Sequence, residues 1–327
     1  MDRVSRVLVG IDLHGDASDV VAKGARLASA FGATLELFAP VYNSLVSRAH
    51  FPETGALERA RQRLVHSGLE RLKTLEAALG GTVEVECEAA WDHPAEEAVI
   101  RRAMQSRADL VVVALQPHPE HRFPFFSGAD WQLARQCPVP VLLCRPGRWK
   151  ARPVIVAAID PLPHRGRKAS LDIRILRAAD AVGRACGGEL RTFHAYEPIT
   201  PVAGTSVLVE LPVDQAEQAL EGGHAAAVEG VMRESGLRRA TVDLQEGPAR
   251  DRLPVYCAEA GADLVVMGAI ARNPLGRIFI GSTAERVLHR LPCDVMIVKP
   301  EGFRTAVHQE PCRGESEAGP VIGVPGI

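Results

Sequence analysis

The stretch with the most chemical potential is "GAIARNPLGRIFIGSTAERV", residues 268–287. Gly268 and Gly281 bracket a loop, Arg272 lies inside it, and Ser282 and Thr283 stand directly before a helix-like run. A polyphosphate bound beside a sheet needs close backbone approach, which glycine permits, and converging N–H groups, which a helix N-terminus supplies. Gly281, Ser282 and Thr283 meet these needs, Gly268 leaves room for a ribose or phosphate, and Arg272 adds a charge. The alternative is structural. Ser282 N-caps the helix and Glu285, three residues on, completes a capping box. The two are compatible, since a capped helix end still presents N–H groups to an anion.

Other residues that could do chemistry are weaker. "HPEH" (118–121) offers two histidines in a Pro-containing loop, too few to close a metal site, and reads as a solvated turn. "HGDAS" (14–18) lacks the second histidine of the nucleotidyl-transferase pattern H-x-G-H, with Ala17 in that place. No S-G-G-x-D-S, G-x-S-x-G, Walker A or H-E-x-x-H pattern occurs. His194 reads as a core-edge histidine, and Trp91 and Trp131 as packing residues. No positioned base or nucleophile emerges, so the expectation is a binding protein rather than an enzyme.

The elements that must position this loop come in two sets. The chain has 327 residues, enough for two domains, with 46% hydrophobic residues to fill their cores. "DLVVVALQPHPEHRFPFFSGADWQLARQCPVPVLLCRP" (109–146) aligns without a gap on "DLVVMGAIARNPLGRIFIGSTAERVLHRLPCDVMIVKP" (263–300), and Asp109, Leu110, Val111, Val112, Phe125, Pro138, Val141 and Pro146 recur identically. "RVLVGIDL" (6–13) matches "PVIVAAID" (153–160), and each places an aspartate at the end of an apolar strand. The chain is therefore a duplication: copy one spans 1–147, copy two 153–300, and 301–327 is a Gly- and Pro-rich tail expected to be mobile. In each copy, short β-branched runs alternate with helical periods, such as Val20, Leu27, Ala28 and Phe31, or Leu171, Ile175, Ala179 and Val182. That order predicts two α/β domains, each a doubly wound parallel sheet with right-handed crossovers and ligands at the carboxyl ends of its strands. Asp12, Asp160 and the loop after Gly268 belong to that rim. Pro254 predicts that the helix before strand four starts near it or kinks there.

Bulk properties exclude several classes. A net charge of −2 recruits neither nucleic acid nor an acidic membrane. No apolar run approaches the length of a membrane helix, and the N-terminus lacks a secretory core, so a cytoplasmic location is expected. Seven cysteines without a C-x-x-C pair read as reduced thiols in a reducing compartment.

The chain resembles the universal stress protein family in its tandem E-type form. Gly268, Ala271, Gly281 and Ser282 stand at the spacing of that family's nucleotide signature G-x2-G-x9-G-[ST], with Ala271 replacing the second glycine and Arg272 where the family often has arginine. "AAWDHPAEEAVI" (89–100), "GADWQLARQCPVPV" (128–141) and "AYEPITPVAGTSVLVELP" (195–212) extend the resemblance over about residues 4–300. It implies five-stranded sheets of order 3-2-1-4-5 and a role in stress response by ligand binding. It implies ATP with Mg²⁺, or another adenine nucleotide, as the ligand of copy two, with Asp160 and Ala195 at the base. It also implies that the closing strands "VPVLLC" and "DVMIVK" pair with each other in an internal pseudo-dimer, leaving further self-association open. Copy one departs from the pattern: its signature positions are Ala114, Pro117, Ser127 and Gly128, and Phe123, Pro124, Phe125 and Phe126 fill the phosphate segment. Its site is expected to be degenerate. In copy two, Ala271 and Pro274 leave a second reading open, a non-nucleotide module that takes an apolar ligand or a protein partner, with residues 198–212 and Phe123–Phe126 as its motivation.

Overall fold

A computed structural model of the chain describes residues 3–48, 55–115, 128–161, 170–198, 213–237, 240–269, 287–288 and 290–309. Copy one contains β1 (Arg6–Gly10), α1 (Ser18–Phe31), β2 (Thr34–Val41), α2 (Ser44–Arg48), α3 (Ala56–Ala78), β3 (Val85–Trp91), α4 (Ala95–Gln105), β4 (Leu110–Ala114), α5 (Ala129–Gln136) and β5 (Val141–Cys144). Copy two repeats the plan with β6 (Val154–Ala158), α6 (Ser170–Cys186), β7 (Glu189–Tyr196), α7 (Val213–Ser235), β8 (Thr241–Glu246), α8 (Ala249–Glu259), β9 (Leu264–Gly268) and β10 (Asp294–Val298).

All ten strands form one sheet in the order β3-β2-β1-β4-β5-β10-β9-β6-β7-β8. Each copy thus has the expected 3-2-1-4-5 order, parallel throughout. The two halves join where β5 and β10 pair antiparallel, with Leu142 opposite Met296. Those two residues hold the same position in the repeat, so a pseudo-two-fold axis passes between them. Each copy covers the apolar edge that the other would leave bare.

The central strands β1, β4, β5 and β10 are buried on both sides, which is why they read as unbroken apolar runs, whereas the edge strands β3 and β8 are only part-buried. One face carries α1, α3, α6 and α7, the other α4, α5 and α8, and each face has a core continuous across both copies. The α1 and α6 stripes predicted from spacing are buried, Val20, Leu27 and Ala28 in one and Leu171, Ile175, Ala179 and Val182 in the other. Gly32 closes α1 at φ 65° and Gly187 follows α6 at φ 62°, conformations that favour glycine.

Asp109 and Asp263 do the same work in both copies. Asp109 Oδ2 accepts from the N–H groups of Ser5 (2.7 Å) and Arg6 (3.1 Å), and Asp263 accepts from Lys150 (3.0 Å) and Val154 (2.9 Å). Each stitches the entry of its first strand to the start of its fourth.

Two expectations need refinement. Helix α8 begins at Ala249, after Pro248, and carries Pro254 inside it. The carbonyl that Pro254 cannot engage, that of Arg250, accepts from Arg290 Nη1 at 3.3 Å, so the lost helix bond is partly replaced. Of the tail, residues 301–309 are described and Val307 is buried against the second core, while the rest lies outside the described residues.

Candidate functional site

In copy two the strand order reverses between β6 and β9. Asp160 follows β6, Ala195 lies near the end of the adjacent β7, and Gly268 ends β9, so the three meet at one rim. The Asp160 main-chain N–H donates to Asp172 Oδ1 at 3.0 Å. Asp172 is itself buried in the first turn of α6 and fixes where Asp160 stands. Gly268 serves packing here. A Cβ at that position would lie 2.7 Å from Leu171 Cδ2 and 3.2 Å from Ile175 Cδ1, so its bare side is taken by α6. Ala271, Arg272, Gly281, Ser282 and Thr283 lie outside the described residues, as do residues 199–212, Phe123–Phe126 and "HPEH".

Beside this rim is a pair of buried imidazoles that spacing alone did not single out. Phe193 enters the core under α8, so the next residue of β7, His194, faces the opposite side of the sheet. There α7 presents His224 on the stripe of Ala216, Val228 and Val231. His194 Nδ1 is 3.1 Å from the Ile159 carbonyl, and its Nε2 is 2.7 Å from His224 Nδ1. A carbonyl only accepts, so Nδ1–H of His194 donates to Ile159, and in the neutral pair His224 Nδ1–H donates to His194 Nε2. His224 stacks on Tyr196 with centroids 4.9 Å apart. Tyr196 borders a cavity of about 220 Å³ with Glu217, Glu221 and Glu246. Burial, then Glu221, Glu246 and Glu217, push its phenol above the ordinary range. The period-two alternation of β7 and the helical spacing of α7 were the available signals for this pair.

Copy one carries a formed cavity of about 380 Å³ at the equivalent rim. Its walls come from the ends of β1 (Gly10, Ile11, Asp12), β4 (Val113, Ala114) and α4 (Glu96, Val99), and Tyr42, Asp92 and His93 also line it. Tyr42 stacks on His93, with centroids 4.1 Å apart and planes 16° from parallel. Asp92 and Arg101 form a two-pronged pair, Nε to Oδ2 at 2.9 Å and Nη2 to Oδ1 at 2.7 Å, and Arg101 also meets Glu97 at 3.0 Å. Asp92 and Arg101 are both buried, so their charges are spent on each other and orient the β3–α4 connection.

Among the described residues no helix is long and apolar enough to cross a membrane. The sequence profile of the Universal stress protein family matches residues 3–145 and 154–299. "Universal stress protein E" of Photorhabdus laumondii is 25% identical over 317 residues, covering 94% of this chain and 98% of that protein. Its namesake in Escherichia coli K12 is 24% identical over 312 residues, with the same coverage. Among solved structures, a functionally unknown protein from Pseudomonas aeruginosa PAO1 superposes with a TM-score of 0.67 at 22% identity, covering 91% of this chain and 93% of that one. A universal stress protein from Archaeoglobus fulgidus superposes at 0.58 and 15% identity, covering 90% and 98%. With a duplicated doubly wound sheet, the expected strand order and a family match over both copies, the chain belongs to the universal stress protein family.

Proposed function

We propose that this protein acts in the stress response by binding, and that copy two takes ATP or a related adenine nucleotide. The observation that carries this reading is the meeting of Asp160, Ala195 and Gly268 at the point where the strand order reverses, the usual ligand position of such sheets. The Asp172 carboxylate holds the Asp160 backbone at that rim. In this reading the Asp160 carboxylate accepts from the exocyclic amine of the base and Ala195 packs beside the ring. Arg272 and the N–H groups around Gly281, Ser282 and Thr283 receive the phosphates. In this reading a magnesium ion arrives with the phosphates. The nucleotide then works as an effector, favouring one conformation over another.

Calorimetric titration of the full chain with ATP, with and without Mg²⁺, tests this. Saturable heat, lost in Gly281→Val and weakened in Ser282→Ala, supports it. No heat at millimolar ATP overturns it. A second reading, a module for a non-nucleotide ligand, draws on the cavity of copy one, whose described lining includes Asp12 and Glu96 and no lysine or arginine.

A further inference from the structure

We propose that the copy-one cavity is a second ligand site, selective for a small organic cation with a flat or apolar body. The cavity of about 380 Å³ falls within the size range of small-molecule pockets, and Val99, Val113 and Leu133 give it an apolar wall. The ring pair Tyr42 and His93 lines it, and among the described residues Tyr42 is one of the few large hydrophobic side chains left exposed, at 38%. A stacked, partly exposed aromatic edge attracts a planar or cationic group.

The charges decide the class. Asp12 and Glu96 both line the cavity, and among the described residues neither is paired with a cation. Asp12 Oδ1 accepts from the His14 N–H at 2.9 Å, which sets the carboxylate at the end of β1. Asp92 adds no free charge, because Arg101 neutralises it. No lysine or arginine is among the described lining residues. Among the described lining residues a phosphate would meet two carboxylates and no lysine or arginine. An ammonium or amidinium group would gain two charge-assisted acceptors while its body covers the apolar wall. This site is independent of the nucleotide reading of copy two.

The test uses three probes with one body and different charge: phenethylamine (cation), 2-phenylethanol (neutral) and 3-phenylpropionate (anion). Each is titrated into the full-length protein by calorimetry and by ligand-observed NMR. The proposal expects saturable binding of phenethylamine, weaker binding of the alcohol and none of the carboxylate. Asp12→Asn with Glu96→Gln lowers phenethylamine affinity by about tenfold or more, the loss of a charge-assisted bond, and removes the preference over the alcohol. Both substitutions keep side-chain shape, and circular dichroism checks that the fold is intact. Ser282→Ala in copy two leaves phenethylamine binding unchanged, so failure of either site is distinguishable from failure of the other. Equal binding of cation and anion, no binding of the cation at millimolar concentration, or full affinity in the double variant would overturn the proposal.

Discussion

Replacing Asp294 by alanine removes the carboxylate that ties the two copies together. Asp294 opens β10 in copy two and Lys23 sits on α1 in copy one; the two residues are 3% and 4% exposed. Lys23 Nζ is 2.7 Å from Asp294 Oδ2 and also donates to the Arg145 carbonyl at 2.7 Å. The Arg145 N–H donates to Asp294 Oδ1 at 2.7 Å, and the Trp149 indole N–H donates to Oδ2 at 2.7 Å. Arg26 of α1 continues the clamp with bonds to the carbonyls of Lys150 (2.8 Å) and Ala151 (2.7 Å) in the linker. Asp294→Ala leaves a buried ammonium short of its anion and two buried N–H donors short of an acceptor. Removing one member of a buried ion pair costs about 3–5 kcal/mol. With a urea slope of about 3 kcal/mol per molar, the unfolding midpoint falls by roughly 1 M or more. Lys23→Met, which strands the carboxylate, loses a comparable amount, and the double variant loses less than the sum by more than about 1 kcal/mol. Because the pair is buried, 0.5 M NaCl should change these losses little. Urea unfolding followed by far-UV circular dichroism measures all three variants. Single losses below about 1 kcal/mol, or strict additivity in the cycle, would refute the role assigned to this network.

Further outcomes follow from other buried groups. Burial pushes the Lys299 ammonium, which donates to the Ala134 carbonyl, down to about 8. The unfolded chain therefore binds this proton more tightly than the folded one, and the contribution to stability rises as pH climbs from about 8 toward the ordinary lysine value, by at most about 3 kcal/mol. Urea titrations at several pH values should show that slope in the natural protein and lose it in Lys299→Met. Gly268→Ala pushes a methyl group into Leu171 and should cost about 1–3 kcal/mol by thermal or urea unfolding; an unchanged midpoint would contradict the packing role. Asp109→Ala and Asp263→Ala each unpin a first strand and should lose about 1–3 kcal/mol apiece. Because the two sites lie in different copies without shared partners, those losses should add in the double variant.

The duplication and strand order were legible because buried parallel strands need apolar residues on both faces, and "DLVV" at 109–112 and 263–266 carries that demand openly. Gly32 and Gly187 stand in the sequence directly after the α1 and α6 periods, where a left-handed C-cap favours glycine. Helix α8 was harder. Proline costs a helix interior both a hydrogen bond and a clash with the carbonyl four residues back, and here Arg290, from well down the chain, gives that carbonyl another donor. The interdomain clamp was invisible for the same reason of distance. Lys23 stands between Ala22 and Gly24 as an ordinary surface lysine would, and only the fold brings Asp294 to it. The packing demand on Gly268 was not legible, because Leu171 and Ile175 of α6, which a Cβ there would meet, lie about a hundred residues earlier in the chain. The cavity of copy one was missed because its signature positions are replaced, while the walls that form it come from five separate elements.

Copy two, and not copy one, is proposed to bind nucleotide. Equilibrium dialysis of the full-length protein against labelled ATP with Mg²⁺ counts the sites directly. One nucleotide per chain, abolished by Gly281→Val and unaffected by Asp12→Asn, is the predicted result. A stoichiometry of zero or two, or one site lost on changing Asp12 instead, would contradict it.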